Sequence, residues 1–262
     1  AAQRFGAHPE QEAEIRDLLG QTYLKLSMWP EARTQLGLAI DLWRRSAGPD
    51  DPRALRTQIS QVRNLLNAAL TNEAEPLIND LLPRLDRVFG PDAPETLEAQ
   101  RSVAIIHMLR GRVDQAEALL RRLRAHPALA DKEMSQITIL GGLLAVYTQR
   151  FSTDDSGRRD QYLAEAEPLA LEWVARTTRR LGPRSTTTLQ ATTKWAEIVC
   201  GRGRYAEAAA ACRTVLENGS AERLGECHSA RTGAMYTLAE CLTRMGEEQE
   251  PADLLLRVIQ CA

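Results

Sequence analysis

Glu73-Ala74-Glu75-Pro76 decides the fold, because its alanine returns at a fixed interval. Pro30-Glu31-Ala32-Arg33 stands 42 residues earlier and Gln115-Ala116-Glu117 42 residues later. After an eight-residue slip, Glu165-Ala166-Glu167-Pro168 and Glu207-Ala208-Ala209 are again 42 apart. Such self-similarity marks a repeat protein, whose units bury their apolar faces only by stacking on one another. Stacked helical repeats present one long surface, which suits binding another chain better than housing a chemical step.

Helical spacing fills the intervals between the alanines. Ile15, Leu18, Leu19, Tyr23 and Leu26 recur at that spacing from Glu10 to Leu26, and a second helical pattern runs from Pro30 to Trp43. Gly48-Pro49-Asp50-Asp51-Pro52 then ends one helix with glycine, forbids its continuation with proline and pre-sets the next first turn with a second proline. Gly90-Pro91-Asp92-Ala93-Pro94 repeats this punctuation. Later pairs are predicted at 53–69 with 73–89, 95–109 with 113–124, 134–150 with 161–181, 185–200 with 205–217, and 226–244 with 248–260. Gly111, Gly203 and Gly246 mark short turns within pairs, Pro83 is predicted to kink its helix, and 151–160 is predicted to be the polar turn that holds the slip. The whole chain, 1–262, is expected to be a single solenoid with repeats at 10–47, 53–89, 95–126, 134–181, 185–218 and 226–262.

A formal charge of -2 on 262 residues supplies no global cationic field for nucleic acid or an anionic membrane. No apolar run approaches the length of about 18 residues that a spanning helix needs, so a soluble, cytoplasmic chain is expected. From the start at Ala1-Ala2 and the end at Cys261-Ala262 without a polar capping helix, the chain is expected to be an excised piece. Five cysteines, an odd number, argue against a complete disulfide framework and favour a reducing compartment.

Leu19-Gly20, Tyr23, Ala32, Leu36 and Ala39 stand at the spacing of a tetratricopeptide (TPR) repeat, and the chain resembles that family over nearly its whole length. The 42-residue period with Gly-Pro-Asp-x-Pro linkers is similar to the kinesin-light-chain variety. The amino-terminal third resembles the TPR regions of bacterial eukaryotic-like serine/threonine kinases. The resemblance implies an all-α, right-handed TPR superhelical solenoid of about six antiparallel helix pairs, acting as a protein-binding scaffold. It also implies an alternative, a sensory or autoregulatory domain contacting a catalytic domain of a larger enzyme.

Motifs for chemistry are wanting. Gly201-Arg202-Gly203-Arg204 lacks the lysine of a phosphate loop and reads as a turn, and Asp154-Asp155-Ser156-Gly157 lacks calcium-ligand spacing. Cys200, Cys212, Cys227-His228 and Cys241 lack Cys-x-x-Cys pairs; core packing is favoured over a metal, or over an oxidised pair such as Cys212 with Cys241. His107 reads as a satisfied interior histidine, Trp29, Trp173 and Trp195 as packing residues, and Arg121, Arg122 and Arg124 as a solvated face. Ser185-Thr186-Thr187-Thr188 opens a helix, where hydroxyls cap free donors. No catalytic residue, cofactor or metal is assigned, and the chain is read as no enzyme. In TPR solenoids the first helix of each pair lines the concave side. Ile59, Leu66, Ile105 and Met108 are thus expected to form an apolar floor flanked by Arg56, Arg63 and Arg101, in columns that also contain Glu14, Asp17 and Glu98. That groove fits an extended or helical peptide with acidic residues around an apolar anchor, and its columns read equally as a mixed solvated surface with no ligand.

Overall fold

The computed structural model describes residues 9–153 and 157–261, and among them every regular element is helical. The chain divides into two compact units, 1–131 and 132–262. In the first unit, α1 (Pro9–Lys25) pairs with α2 (Trp29–Ala47), α3 (Pro52–Asn67) with α4 (Thr71–Phe89), and α5 (Pro94–Leu109) with α6 (Val113–Arg124), followed by a 3-10 turn at Pro127–Leu129. In the second, α7 (Glu133–Thr153) pairs with α8 (Arg159–Leu181), α9 (Thr186–Gly201) with α10 (Tyr205–Asn218), and α12 (Ser229–Arg244) with α13 (Gln249–Ile259). A short α11 (Ala221–Leu224) precedes α12, so the last pair begins later than position 226.

The alanine register is a burial register. Ala32, Ala74, Ala116, Ala166 and Ala208 are all fully buried. At Gly20 the approach is closer still: a Cβ there would lie 2.6 Å from the Leu36 side chain, so only glycine lets α1 and α2 meet. Gly48, Gly90 and Gly182 end the second helices with φ of 93°, 94° and 84°, a conformation that costs other residues strain. Each is followed by proline, and Asp51 and Ser185 then cap the next helices by accepting hydrogen bonds from backbone N–H groups. The helix α4 runs continuously through Pro76 and Pro83.

The eight-residue slip is differently housed from the expected 151–160 turn. Phe151, Ser152 and Thr153 are helical, making α7 21 residues long where α3, α5 and α9 are 16. The helix α8 begins seven residues before Ala166, whereas α2, α4, α6 and α10 begin three before their alanines. The extra residues thus largely extend a helical hairpin by about one turn on each arm. Asp154, Asp155 and Ser156 lie outside the described residues.

Candidate binding face

Within the first unit, α1, α3 and α5 lie side by side. On α3, period 3.6 sorts the residues into three faces. Leu55, Val62 and Leu65 enter the core; Thr57, Ser60 and Asn64 are buried against neighbouring helices; Arg56 is exposed, Arg63 half-buried, and Leu66 half-buried at the edge of the core cluster. Leu66, Ile105 and Met108 are half-buried. Ile59 is not part of the expected floor: at 7% exposure it packs into the same cluster as Leu55 and Val62, which corrects its assignment as an anchor contact.

The three arginines differ in what they already hold. Arg56 donates from Nε to Glu95 Oε1 at 2.9 Å and stacks over the Phe89 ring, and Arg101 donates to Glu98. Arg63 donates to the neutral Gln21 Oε1 at 3.1 Å and has no carboxylate partner among the described residues. Gln21 in turn donates to Ser60 Oγ at 2.6 Å, so the α1 and α3 columns are cross-linked under Arg63. Beside this network Asp17 keeps a buried carboxylate oxygen with no hydrogen-bond partner among the described residues. Among the described residues Arg63 thus differs from Arg56 and Arg101 in being held by a neutral amide and not by a carboxylate.

The second unit carries the same scaffold with different lining. Pro52, Thr71 and Ala74 of the second pair correspond to Thr186, Tyr205 and Ala208 of the fifth, an offset of 134. At that offset Arg63 becomes Glu197, which pairs with Lys194 at 2.6 Å, Ile59 becomes Thr193 and Leu66 becomes Cys200. Cys200 borders a cavity of about 160 Å³ together with Tyr205, Glu240 and Arg244. Burial, and then the hydrogen bond with Cys241, pushes the Cys200 thiol well up; burial holds Cys212 up to about 12 and raises Cys241. Protonated buried thiols are poor nucleophiles and poor ligands.

The cysteines correct one sequence expectation. Cys227 and Cys261 form a disulfide, while Cys200, Cys212 and Cys241 are free and buried. An odd count excludes complete pairing but is blind to a single bond, and Cys212 is not joined to Cys241. His107 is half-buried and its Nδ1, fully covered, lacks a partner, so it is an interior but unsatisfied histidine; burial, and then Arg112, lowers its pKa. Trp173 and Trp195 are packed, each with an unpartnered buried indole N–H. Arg121 and Arg122 are exposed and bonded to Glu117 and Gln100. Among the described residues no group of three His, Cys, Asp or Glu side chains is placed to hold a metal, and no helix is long and apolar enough to cross a membrane.

Sequence reasoning missed the clamps between successive pairs, although their signal was present. Arg110-Gly111-Arg112 and Arg202-Gly203-Arg204 are 92 residues apart, as are Glu75 and Glu167. Both arginines of each turn grip the glutamate of the preceding pair, at 2.8 and 2.7 Å for Glu75 and at 2.7 and 2.5 Å for Glu167. The arginines of a second clamp repeat at the same offset, although their acid does not. Arg84 and Arg87 hold Asp50 in the linker, and Arg176 and Arg179 hold Glu133 at the start of α7. The Gly-Arg-Gly-Arg stretch is thus a turn, as expected, with a structural task.

No family model and no curated protein sequence matches the chain. Solved structures do. A putative kinesin light chain of Podosopora anserina with nearly identical TPR-like repeats is 19% identical with a TM-score of 0.55, covering 82% of this chain and 97% of that one. A singly substituted form of the same protein is 19% identical with a TM-score of 0.56 over the same shares. BtubC (BKLC) from P. vanneervenii is 15% identical with a TM-score of 0.66, covering 87% of this chain and 89% of that one. The fold is that of TPR-like, kinesin-light-chain-like repeat proteins, an all-α repeat architecture.

Proposed function

We propose that this chain is a non-catalytic, cytoplasmic scaffold that binds a segment of a protein partner across the α1, α3 and α5 face. The observation that carries the reading is Arg63: an arginine without a carboxylate partner among the described residues, set beside half-buried Leu66, Ile105 and Met108 on rigid helices. Rigid helices lose little entropy on binding, and a cation beside an apolar floor selects an acidic segment with an apolar anchor. Arg56 and Arg101 contribute less, because Glu95 and Glu98 already screen them. No nucleic acid, membrane, cofactor or metal enters the reading. In a cytoplasmic setting Cys227–Cys261 would be a bond that forms and breaks.

The alternative is an autoregulatory domain whose partner segment belongs to a catalytic domain of the same polypeptide, such as a bacterial serine/threonine kinase. It rests on the resemblance of the amino-terminal third and uses the same face. The test is binding of an acidic, leucine-bearing peptide library by surface plasmon resonance. Arg63→Glu should slow association and flatten its salt dependence, while Leu66→Ala should mainly quicken dissociation, by about tenfold for a side chain at a buried hot spot. Binding that survives Arg56, Arg63 and Arg101 all changed to glutamate would refute this face.

A further inference from the structure

The last helix is held by few apolar contacts and one covalent bond. The 11-residue α13 packs on α12 and buries only Pro251 and Leu254, with Val258 partly covered; Leu256 and Ile259 are 57% and 69% exposed. An isolated helix of that length is marginal in water. What it is tied to is firm. Arg231, 5% exposed, donates to the Gly219 carbonyl at 2.7 Å and to Glu226 at 3.1 Å, so α12 anchors the loop before it from beneath. Glu226 also accepts from Arg257 of α13 at 2.9 Å, and next to it Cys227 bonds to Cys261, just beyond the end of α13. Cys227 is exposed and Cys261 half-exposed, in contrast to the three buried thiols.

We propose that Cys227–Cys261 is a thiol-operated latch that holds α13 on α12 and releases it when reduced. A thiolate of a dithiol reductant attacks the exposed Cys227 sulfur, and the Cys261 sulfur leaves and takes a proton. The reductant's second thiol then displaces Cys227, which is protonated in turn. The donor ends as a disulfide and the protein as two thiols, so two electrons and two protons have moved. The bond closes a loop across 34 residues that contains both helices, so opening it restores chain freedom to a helix that buries only Pro251 and Leu254. Arg257–Glu226 and Arg213–Glu250 remain, but both are exposed ion pairs that hold little by themselves. The proposal concerns the 132–262 unit alone and is independent of the binding-face reading.

The test is amide exchange with thiol counting on the intact chain. Air-purified protein should show three alkylatable thiols after unfolding without reductant. Dithiothreitol at neutral pH, without denaturant, should free Cys227 and Cys261 only. Exchange over 249–259 should then quicken at least tenfold while 186–201 and 205–218 stay protected, and oxidised glutathione should restore the slow rate. Cys227→Ser should exchange fast at 249–259 without reductant; should that variant fail to fold, the reduction of the unmodified chain still decides. Equal protection of α13 with the bond open, five thiols in the air-purified protein, or exchange quickened throughout the unit would each overturn the latch.

Discussion

The second and fifth helix pairs share a 16-residue first helix and an alanine register, and differ in second-helix length, 19 residues against 14, and in surface. Ala74 and Ala208 are both fully buried, and so are Leu81 and Val215, again at the same register. Yet the first-helix face changes from Arg63 and Leu66 to Glu197 and Cys200. The interior of a repeat is constrained by close packing against its neighbours on both sides, whereas the outward face meets them through replaceable polar links such as Arg63 to Gln21 and Arg56 to Glu95. A repeat architecture can therefore keep its fold while equivalent first-helix positions change, from Arg63 bonded to the neutral Gln21 beside half-buried Leu66 to a Lys194–Glu197 ion pair beside the buried Cys200.

The shared interior is tested first, where the effects are largest. Leu81→Ala should cost about 2–5 kcal/mol, and Val215→Ala less because one carbon fewer is removed, as measured by urea unfolding. A larger loss at Val215 would break the equivalence of the two pairs. Next comes the divergent face. Arg63→Glu should weaken the acidic-peptide affinity about tenfold, whereas Glu197→Arg should leave it unchanged. Sensitivity to Glu197 would mean that the partner lies on the second unit.

The smallest effect is the pH dependence of the clamps. The hydrogen bonds from Arg112, then Arg110, hold the Glu75 carboxyl below its ordinary 4.5, and Arg179 does the same for Glu133. Arg84 lowers Asp50 in the linker. A carboxyl lowered in the folded state adds stability above its unfolded value, and that stability is lost as pH falls through the folded value. Acid should therefore begin to loosen both units below about pH 4.5, the ordinary glutamate value. Glu75→Gln should remove part of that acid sensitivity, and an unchanged acid titration would show the clamp to be energetically idle.

Most of the fold was legible because a repeat prints its burial pattern in the chain several times over. Ala32, Ala74 and Ala116 mark close helix crossings, and the Gly-Pro linkers mark helix ends whether or not neighbours are known. The candidate face was legible only in part. The columns locate Arg63, Leu66, Ile105 and Met108, but no spacing rule says that Ile59 tilts into the core or that Glu95 and Glu98 have already taken two of the three arginines. The slip was legible as a number and not as a shape, since eight extra residues fit a polar turn or two added helical turns equally well.

The sequence by itself determined the helix pairs, their period and the buried alanines, because these follow from local periodicity and from small residues recurring where helices cross. Tertiary structure alone decided which charges are spent on clamps, which thiols are sealed in the core and which two meet as Cys227–Cys261. Those outcomes depend on side chains 34 or more residues apart coming within a few ångströms, a distance that only the packed stack defines.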